Sequence, residues 1–175
     1  FESDRSYDWD RYLQIAADKT APLLTAPLQG VAIMALDARA EIVVASYFRY
    51  LGKAYQIAND IMNFDGKDGA KSIGSDLARR APNAVTLCFR DCLSAPEQTE
   101  FDGWYEAGDN AALINWQAAI RESDAMERAG RCMMSILDDA EAKAESLSVE
   151  IYEVISPVHA LLKRVCLNSV KHLKV

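Results

Sequence analysis

Tyr55-Gln56-Ile57-Ala58-Asn59-Asp60-Ile61-Met62-Asn63-Phe64-Asp65 is the stretch on which the fold of this chain turns. Wound as a helix, it sets Gln56, Asn59, Asp60 and Asn63 at i, i+3, i+4 and i+7, one stripe of oxygen-bearing side chains on an otherwise apolar surface. The residues that follow, Gly66-Lys67-Asp68-Gly69-Ala70-Lys71-Ser72-Ile73-Gly74-Ser75-Asp76-Leu77, read as a loop rich in Gly, Lys and Asp. Oxygen donors beside a cation suit a phosphorylated ligand held through magnesium, which takes oxygen ligands and keeps several waters. The same stripe also suits a polar helix end, because Asn and Asp tolerate turn geometry ahead of a Gly-rich loop. On this stretch alone both readings stand.

Working outward, the chain favours helices throughout. Its 175 residues fit a single domain, 1–175, large enough to bury a core without disulfide or metal staples. Half are hydrophobic, Gly and Pro are sparse, and Ala, Leu, Ile, Met and Glu recur at helical spacings, with no strand-like alternation of useful length. The fold class is therefore all-α. A net charge of -7 weighs against nucleic acid as the main partner, since phosphate-backbone binding calls for a basic face. A small anion held through metal is compatible with it. Cys88, Cys92, Cys132 and Cys166 lack paired zinc spacing and read as core thiols in a reducing compartment, which points to the cytoplasm. No apolar run is long enough to span a bilayer and no signal peptide is apparent. The start at Phe1, inside what reads as a loop, leads us to expect a fragment whose upstream half is missing.

Punctuation along the chain predicts the remaining elements. Ser6 and Asp8 are candidate caps for a first helix stepping through Trp9, Tyr12, Leu13, Ala16 and Thr20. Pro22 and Pro27 predict a kink or break, then a new helix from about Leu28 to Leu36. Asp37 to Phe64 reads as the central helix of a bundle, with Gly52 permitting close approach of a ligand or another helix, and Gly66 and Gly69 ending it. Pro82 is expected in the first turn of a short helix through Thr86, Phe89 and Leu93. Ser94-Ala95-Pro96 reads as a break, Gly103 and Gly108 as the brackets of a turn region, and 110–120, 124–146 and 149–173 as three further helices, the last kinked at Pro157.

Taken in order, Lys19-Thr20-Ala21, Tyr55-Gln56-Ile57, the Asn59-Asp60-x-x-Asn63 element and Lys71-x-x-Gly74-Ser75-Asp76-Leu77 resemble the second half of the trans-prenyltransferases, the polyprenyl diphosphate synthase family. Thr86-Leu87 matches the start of that family's Thr-Leu-Pro element, with Cys88 in place of the proline. The resemblance spans roughly Tyr12 to Leu87. It implies an isoprenoid-synthase-type bundle of antiparallel helices around a deep apolar pocket, with two Asp-rich motifs facing each other across the mouth. It further implies Mg2+ ions bridging those motifs to the diphosphate of an allylic substrate, which is condensed with isopentenyl diphosphate. Metals and lysines at that position offset the charge gathering on the leaving group.

Carried over by position, the resemblance makes Lys19, Thr20 and Gln56 the catalytic set and Lys19 and Lys71 the diphosphate-binding lysines. It makes Asn59, Asp60 and Asn63 the second metal-binding motif and Asp76 the aspartate of the loop. Two departures stand out. Asn59 replaces the aspartate that leads the family's motif, and a neutral oxygen binds magnesium more weakly than a carboxylate. The first Asp-rich motif belongs to the family's first half, which this chain lacks. Activity is thus expected only with the N-terminal half or a partner subunit, in a homo- or hetero-oligomer. The Asn-Asp-x-x-Asn pattern is also similar to the motif of class I terpene cyclases, although Lys67 stands where their glutamate would be. A class I terpene cyclase of prenyltransferase ancestry, and a non-catalytic regulatory subunit of a hetero-oligomeric prenyl synthase, are the alternatives. Asp138-Asp139-Ala140-Glu141 reads as a solvated helix face, and neither His159 nor His172 has a sequence partner suggesting catalysis.

Overall fold

The computed structural model describes residues 8–34, 38–66, 73–108 and 110–175, with the backbone alone for 27–34 and 38–41. Among these residues the structure is helical, without strands. The helices are α1 (Trp9–Met34), α2 (Ala38–Asp65), α3 (Ser75–Ala78), α4 (Ala84–Cys92), α5 (Ala95–Ala107), α6 (Leu113–Glu122), α7 (Ala125–Ala144) and α8 (Val149–Val170).

α2 is the axis of the bundle, packing on α1, α4, α7 and α8. No residue from 43 to 65 is exposed. Tyr47, Phe48, Leu51, Ala54, Ile57, Ala58, Ile61 and Phe64 are all buried, a stripe wider than one face, as a helix with neighbours on every side requires. Its pairing with α1 is antiparallel: Tyr12 meets Asp60, whereas Thr20 and Ala21 meet Gly52. A Cβ built on Gly52 would lie 3.3 Å from the Ala21 backbone nitrogen and 3.4 Å from the Thr20 Cβ, so the close approach expected at this glycine is made by α1. α8 runs the same way as α2, with Tyr47 against His159 and Asp65 against His172.

Several local expectations are corrected. Pro22 and Pro27 lie within α1, which runs unbroken from Trp9 to Met34. Proline keeps a helix-compatible φ, each ring deletes a single backbone bond, and packing on α2 carries the helix through. The expected helix end at Leu36 and cap at Ser6 lie outside the described residues, whereas Asp8 does cap α1, accepting from the Arg11 N–H at 2.8 Å. The break expected at Ser94-Ala95-Pro96 falls between α4, which ends at Cys92, and α5, which this segment also starts: the Glu97 carboxylate accepts from the Ser94 N–H at 2.8 Å, and Gly103, expected in a turn, sits inside α5. Pro82 precedes the α4 cap, which is Asn83, accepting from Val85 N–H at 2.9 Å and Thr86 N–H at 3.3 Å. Thr86-Leu87 therefore lies in the opening turn of α4. Cys92 is exposed and Cys132 half-buried, so only Cys88 and Cys166 are core thiols.

His159 and Glu141 also differ from the sequence reading. The Tyr47 hydroxyl and His159 Nδ1 are hydrogen-bonded at 2.6 Å in the core, while Glu141 pairs with Lys163 and lies 3.8 Å from His159 Nε2. Burial lowers the His159 pKa and the Lys163 charge lowers it further, against the opposing pull of Glu141. A histidine kept neutral by folding contributes stability above about pH 6.5 that is lost on acidification. Asp60, whose pKa is raised in the folded state, works in the opposite sense over the same range, so the His159 contribution is read as a difference: the urea midpoint of the wild type is expected to lose ground between pH 7 and pH 5 relative to that of His159→Gln, where the amide oxygen can still accept from Tyr47. At the α1–α2 crossing, Gly52→Val is expected to lower stability by about 1–3 kcal/mol in the same assay, because the facing backbone cannot yield.

Candidate functional site

The site grows from the small-residue seam between α1 and α2. Ala16, Ala17 and Ala21 are buried on α1, and Gly52 opposite them lets the two backbones close on each other. That contact sets Thr20, half-buried, against α2 one turn before Gln56. Lys19 is exposed beside it; the neighbouring Asp18 pairs with Arg49 of α2 at 3.2 Å.

One turn beyond Gln56 lies Asp60, 1% exposed. Its Oδ2 accepts from the Tyr12 hydroxyl at 2.7 Å and from the Ala84 N–H at 2.8 Å, and its Oδ1 accepts from Gln56 Nε2 at 2.9 Å. Desolvation pushes the carboxyl up to about 6, although the Ala84, Tyr12 and Gln56 hydrogen bonds favour the charged form; the nearby Asp76 charge raises it further. Asn63 is likewise turned inward. Its side chain donates to Ser75 Oγ at 2.9 Å and accepts from the Asp76 N–H at 3.3 Å, while its backbone carbonyl accepts from the Gly74 N–H at 3.0 Å. Gly74 needs its left-handed φ of 64° to begin α3 there. Asp76 in turn accepts from Asn83 Nδ2 at 3.3 Å, so the end of α2, α3 and the α4 cap form one connected polar chain.

The described geometry thus joins Gln56 to Asp60, and Asn63 to Asp76. Asn59 is half-buried, and Lys71 lies outside the described residues. Three residues that sequence reasoning missed hold the arrangement: Tyr12, Ser75 and Asn83. For Tyr12 a signal existed, since a phenol on the buried face of a helix requires a partner for its hydroxyl. Asn83 carried another, an Asn directly ahead of an apolar helical run.

The donor set can be tested against magnesium. Both Asp60 oxygens are committed to protein donors, both ends of the Asn63 amide are engaged, and Asn59 offers a neutral oxygen. Among the described residues no three His, Cys, Asp or Glu side chains cluster. These residues do not fit a carboxylate-bound Mg2+. What the described wall offers a ligand is an amide, a hydroxyl and an exposed ammonium.

Comparison with known proteins bears on the family and fold of the chain. The chain is 35% identical over 79 residues to the octaprenyl diphosphate synthase of Haemophilus influenzae, an overlap of 43% of this chain and 24% of that protein. It is 33% identical over 94 residues to the Escherichia coli octaprenyl diphosphate synthase, covering 52% of this chain and 29% of that protein. The matched part thus spans about a quarter of the length of these curated relatives. The fold superposes on the apo form of an Arabidopsis medium/long-chain prenyl pyrophosphate synthase with a TM-score of 0.73 at 24% identity, over 93% of this chain and 56% of that one. For a decaprenyl diphosphate synthase from Rhodobacter capsulatus the TM-score is 0.69 at 20% identity, over 95% and 51%. The bundle is accordingly of the isoprenoid-synthase type. The polyprenyl synthetase family model matches residues 1–123, well over half of the sequence, and the chain belongs to that family.

Proposed function

We propose that this chain forms the second wall of a trans-prenyltransferase active site, in an enzyme that condenses an allylic diphosphate with isopentenyl diphosphate. The observation that carries the reading is the α1–α2 crossing at Gly52, where Lys19-Thr20 and Gln56 come from facing helices of a chain in the polyprenyl synthetase family. In this reading the Lys19 ammonium, together with Lys71, binds the leaving diphosphate, and its charge grows in value as the carbon–oxygen bond stretches. Thr20 lies against the adjoining part of the substrate, and Gln56 faces the reacting carbons. Asp76 keeps the end of the loop registered on Asn63. Members of the family are generally magnesium-dependent, but the neutral Asn59 and the committed Asp60 leave metal binding to groups outside the described wall.

Exposed apolar side chains on three helices support the need for a covering partner. Leu23 is 79% exposed on α1, Ile42 69% on α2, and Val154 65% and Leu161 58% on α8. An N-terminal half or partner subunit, in a homo- or hetero-oligomer, is the proposed cover, and the cytoplasm is the proposed location. No helix among the described residues is long and apolar enough to cross a membrane.

A second reading is favoured by Asn59 itself: a non-catalytic subunit whose partner performs the chemistry, and in which a carboxylate is dispensable. Reconstitution with a family-type N-terminal half, magnesium and both diphosphates separates the possibilities. Chain extension is expected, with Lys19→Ala lowering kcat/KM about 10- to 100-fold, the worth of a charge-assisted hydrogen bond. Loss of extension, with substrate still bound, would sink the catalytic reading, and full activity in Lys19→Ala would favour the non-catalytic subunit. A hydrocarbon or alcohol formed from one diphosphate would indicate a cyclase instead. In the same assembly Asn59→Asp is expected to lower the magnesium concentration needed for half-maximal rate; an unchanged requirement would argue that position 59 does not face the metal.

A further inference from the structure

We propose that Cys132 and Cys88 form an oxidant-reactive thiol pair across the contact between α4 and α7, in which Cys132 attacks a hydroperoxide and Cys88 resolves the product into an intramolecular disulfide. The inference is independent of the prenyltransferase reading and uses no residue of the proposed active-site wall.

The pairing follows from helix register. The Cys92 thiol, at the end of α4, donates to Asp124 Oδ1 at 3.4 Å at the start of α7, and Asp124 pairs with Arg128 one turn further on at 2.9 Å. Cys88 lies one turn back from Cys92, and Cys132 one turn beyond Arg128. Helices that meet at 92 and 124 and pass in opposite directions bring 88 beside 132, and the Cys88 S–H donates to the Cys132 sulfur. Ala125 and Ala129, fully buried on α7, are small enough to allow the helices a close approach.

The two thiols are unequal. Cys88 is buried, whereas Cys132 is half-buried and reaches solvent. Donation from Cys88 lowers the Cys132 pKa to about 7 against the effect of partial burial; the Arg131 charge lowers it further and Asp91 opposes it. The same hydrogen bond, with burial, raises the pKa of Cys88. Much of Cys132 is therefore thiolate at neutral pH, which is the reactive form. Cys92 differs, since its thiol is turned to the Cys88 carbonyl at 2.9 Å and to Asp124, and burial and that carboxylate raise its pKa.

The thiolate attacks one oxygen of hydrogen peroxide and the O–O bond breaks, giving Cys132 sulfenic acid and hydroxide, which takes up the proton the thiol had released. Cys88 then attacks the sulfenic sulfur, and its own proton leaves with the sulfenic hydroxyl as water. Two thiols thus lose two electrons and two protons, and the peroxide becomes two waters.

Trypsin tells the cysteines apart, because Arg90 stands between Cys88 and Cys92 and Arg131 directly precedes Cys132. The folded protein is treated with hydrogen peroxide at neutral pH, alkylated in denaturant and digested without reductant. Two of its four thiols are expected to be lost, with peptide 81–90 linked to peptide 132–143 and both released by dithiothreitol. A link from Cys88 to Cys92, links only between chains, or four thiols retained overturns the proposal. The roles are read with dimedone, which captures sulfenic acid. Cys88→Ser keeps a donor for Cys132 and is expected to leave the label on 132–143, whereas Cys132→Ser is expected to leave none on 81–90. Label on Cys88 in the second variant, or none on Cys132 in the first, overturns the assignment. Peptide mapping of the wild type decides the link whether or not either variant folds.

Discussion

A single buried carboxylate holds three helices in register. Asp60 is removed from water almost completely, and an isolated ionised group in such a place would be prohibitive. Its charge is tolerated because donors converge on it from α1, from α2 and from the N-terminus of α4, where the helix dipole also favours an anion. The same bonds that offset its desolvation set the separation of the helices that make them. The wall proposed above as half of an active site is therefore organised around a carboxylate buried between the helices that form it.

A second polar chain extends this order to the C-terminal side of α2. Asn63, Ser75, Asp76 and Asn83 connect successive elements, and beyond them Arg80 anchors the turn between α3 and α4. Arg80 adopts a left-handed φ of 55°, unusual outside glycine, and its side chain accounts for the cost. The guanidinium lies 3.9 Å from the Trp104 ring centroid and donates to the carbonyls of Leu77 and Tyr105. Trp104 belongs to an aromatic cluster with Phe89, Phe101, Tyr105 and Trp116, so the turn is fastened to the packing of α4, α5 and α6.

The helical character of the chain and the central place of α2 were legible in its sequence, because the breadth of the apolar stripe from Tyr47 to Phe64 leaves no face for solvent. The family was legible because four short motifs stand in one order. Boundaries are less legible where proline reads as an interruption. Pro22 and Pro27 lie inside α1, whereas Pro96 stands in the first turn of α5 just after a break, and whether a proline ends a helix depends on what packs across it. The largest difference concerns Asp60. Spacing places it on the same stripe as Gln56 and Asn59, but spacing cannot say which members of a stripe look inward. That depended on Tyr12, 48 positions earlier, and on the start of α4, 24 positions later. For the same reason His159 gave no sign of Tyr47.

Gly52 has a consequence for tolerance. Where two helices touch through side chains, their separation varies with every rotamer change, and a ligand gripped from both sides feels that variation. At this crossing the α2 backbone itself meets the Ala21 backbone and the Thr20 side chain, because there is no side chain on α2 to swing out of the way. On the roles proposed for the Lys19-Thr20 pair and Gln56, the interval offered to a substrate would be set at this crossing by covalent geometry, like the jaw of a gauge.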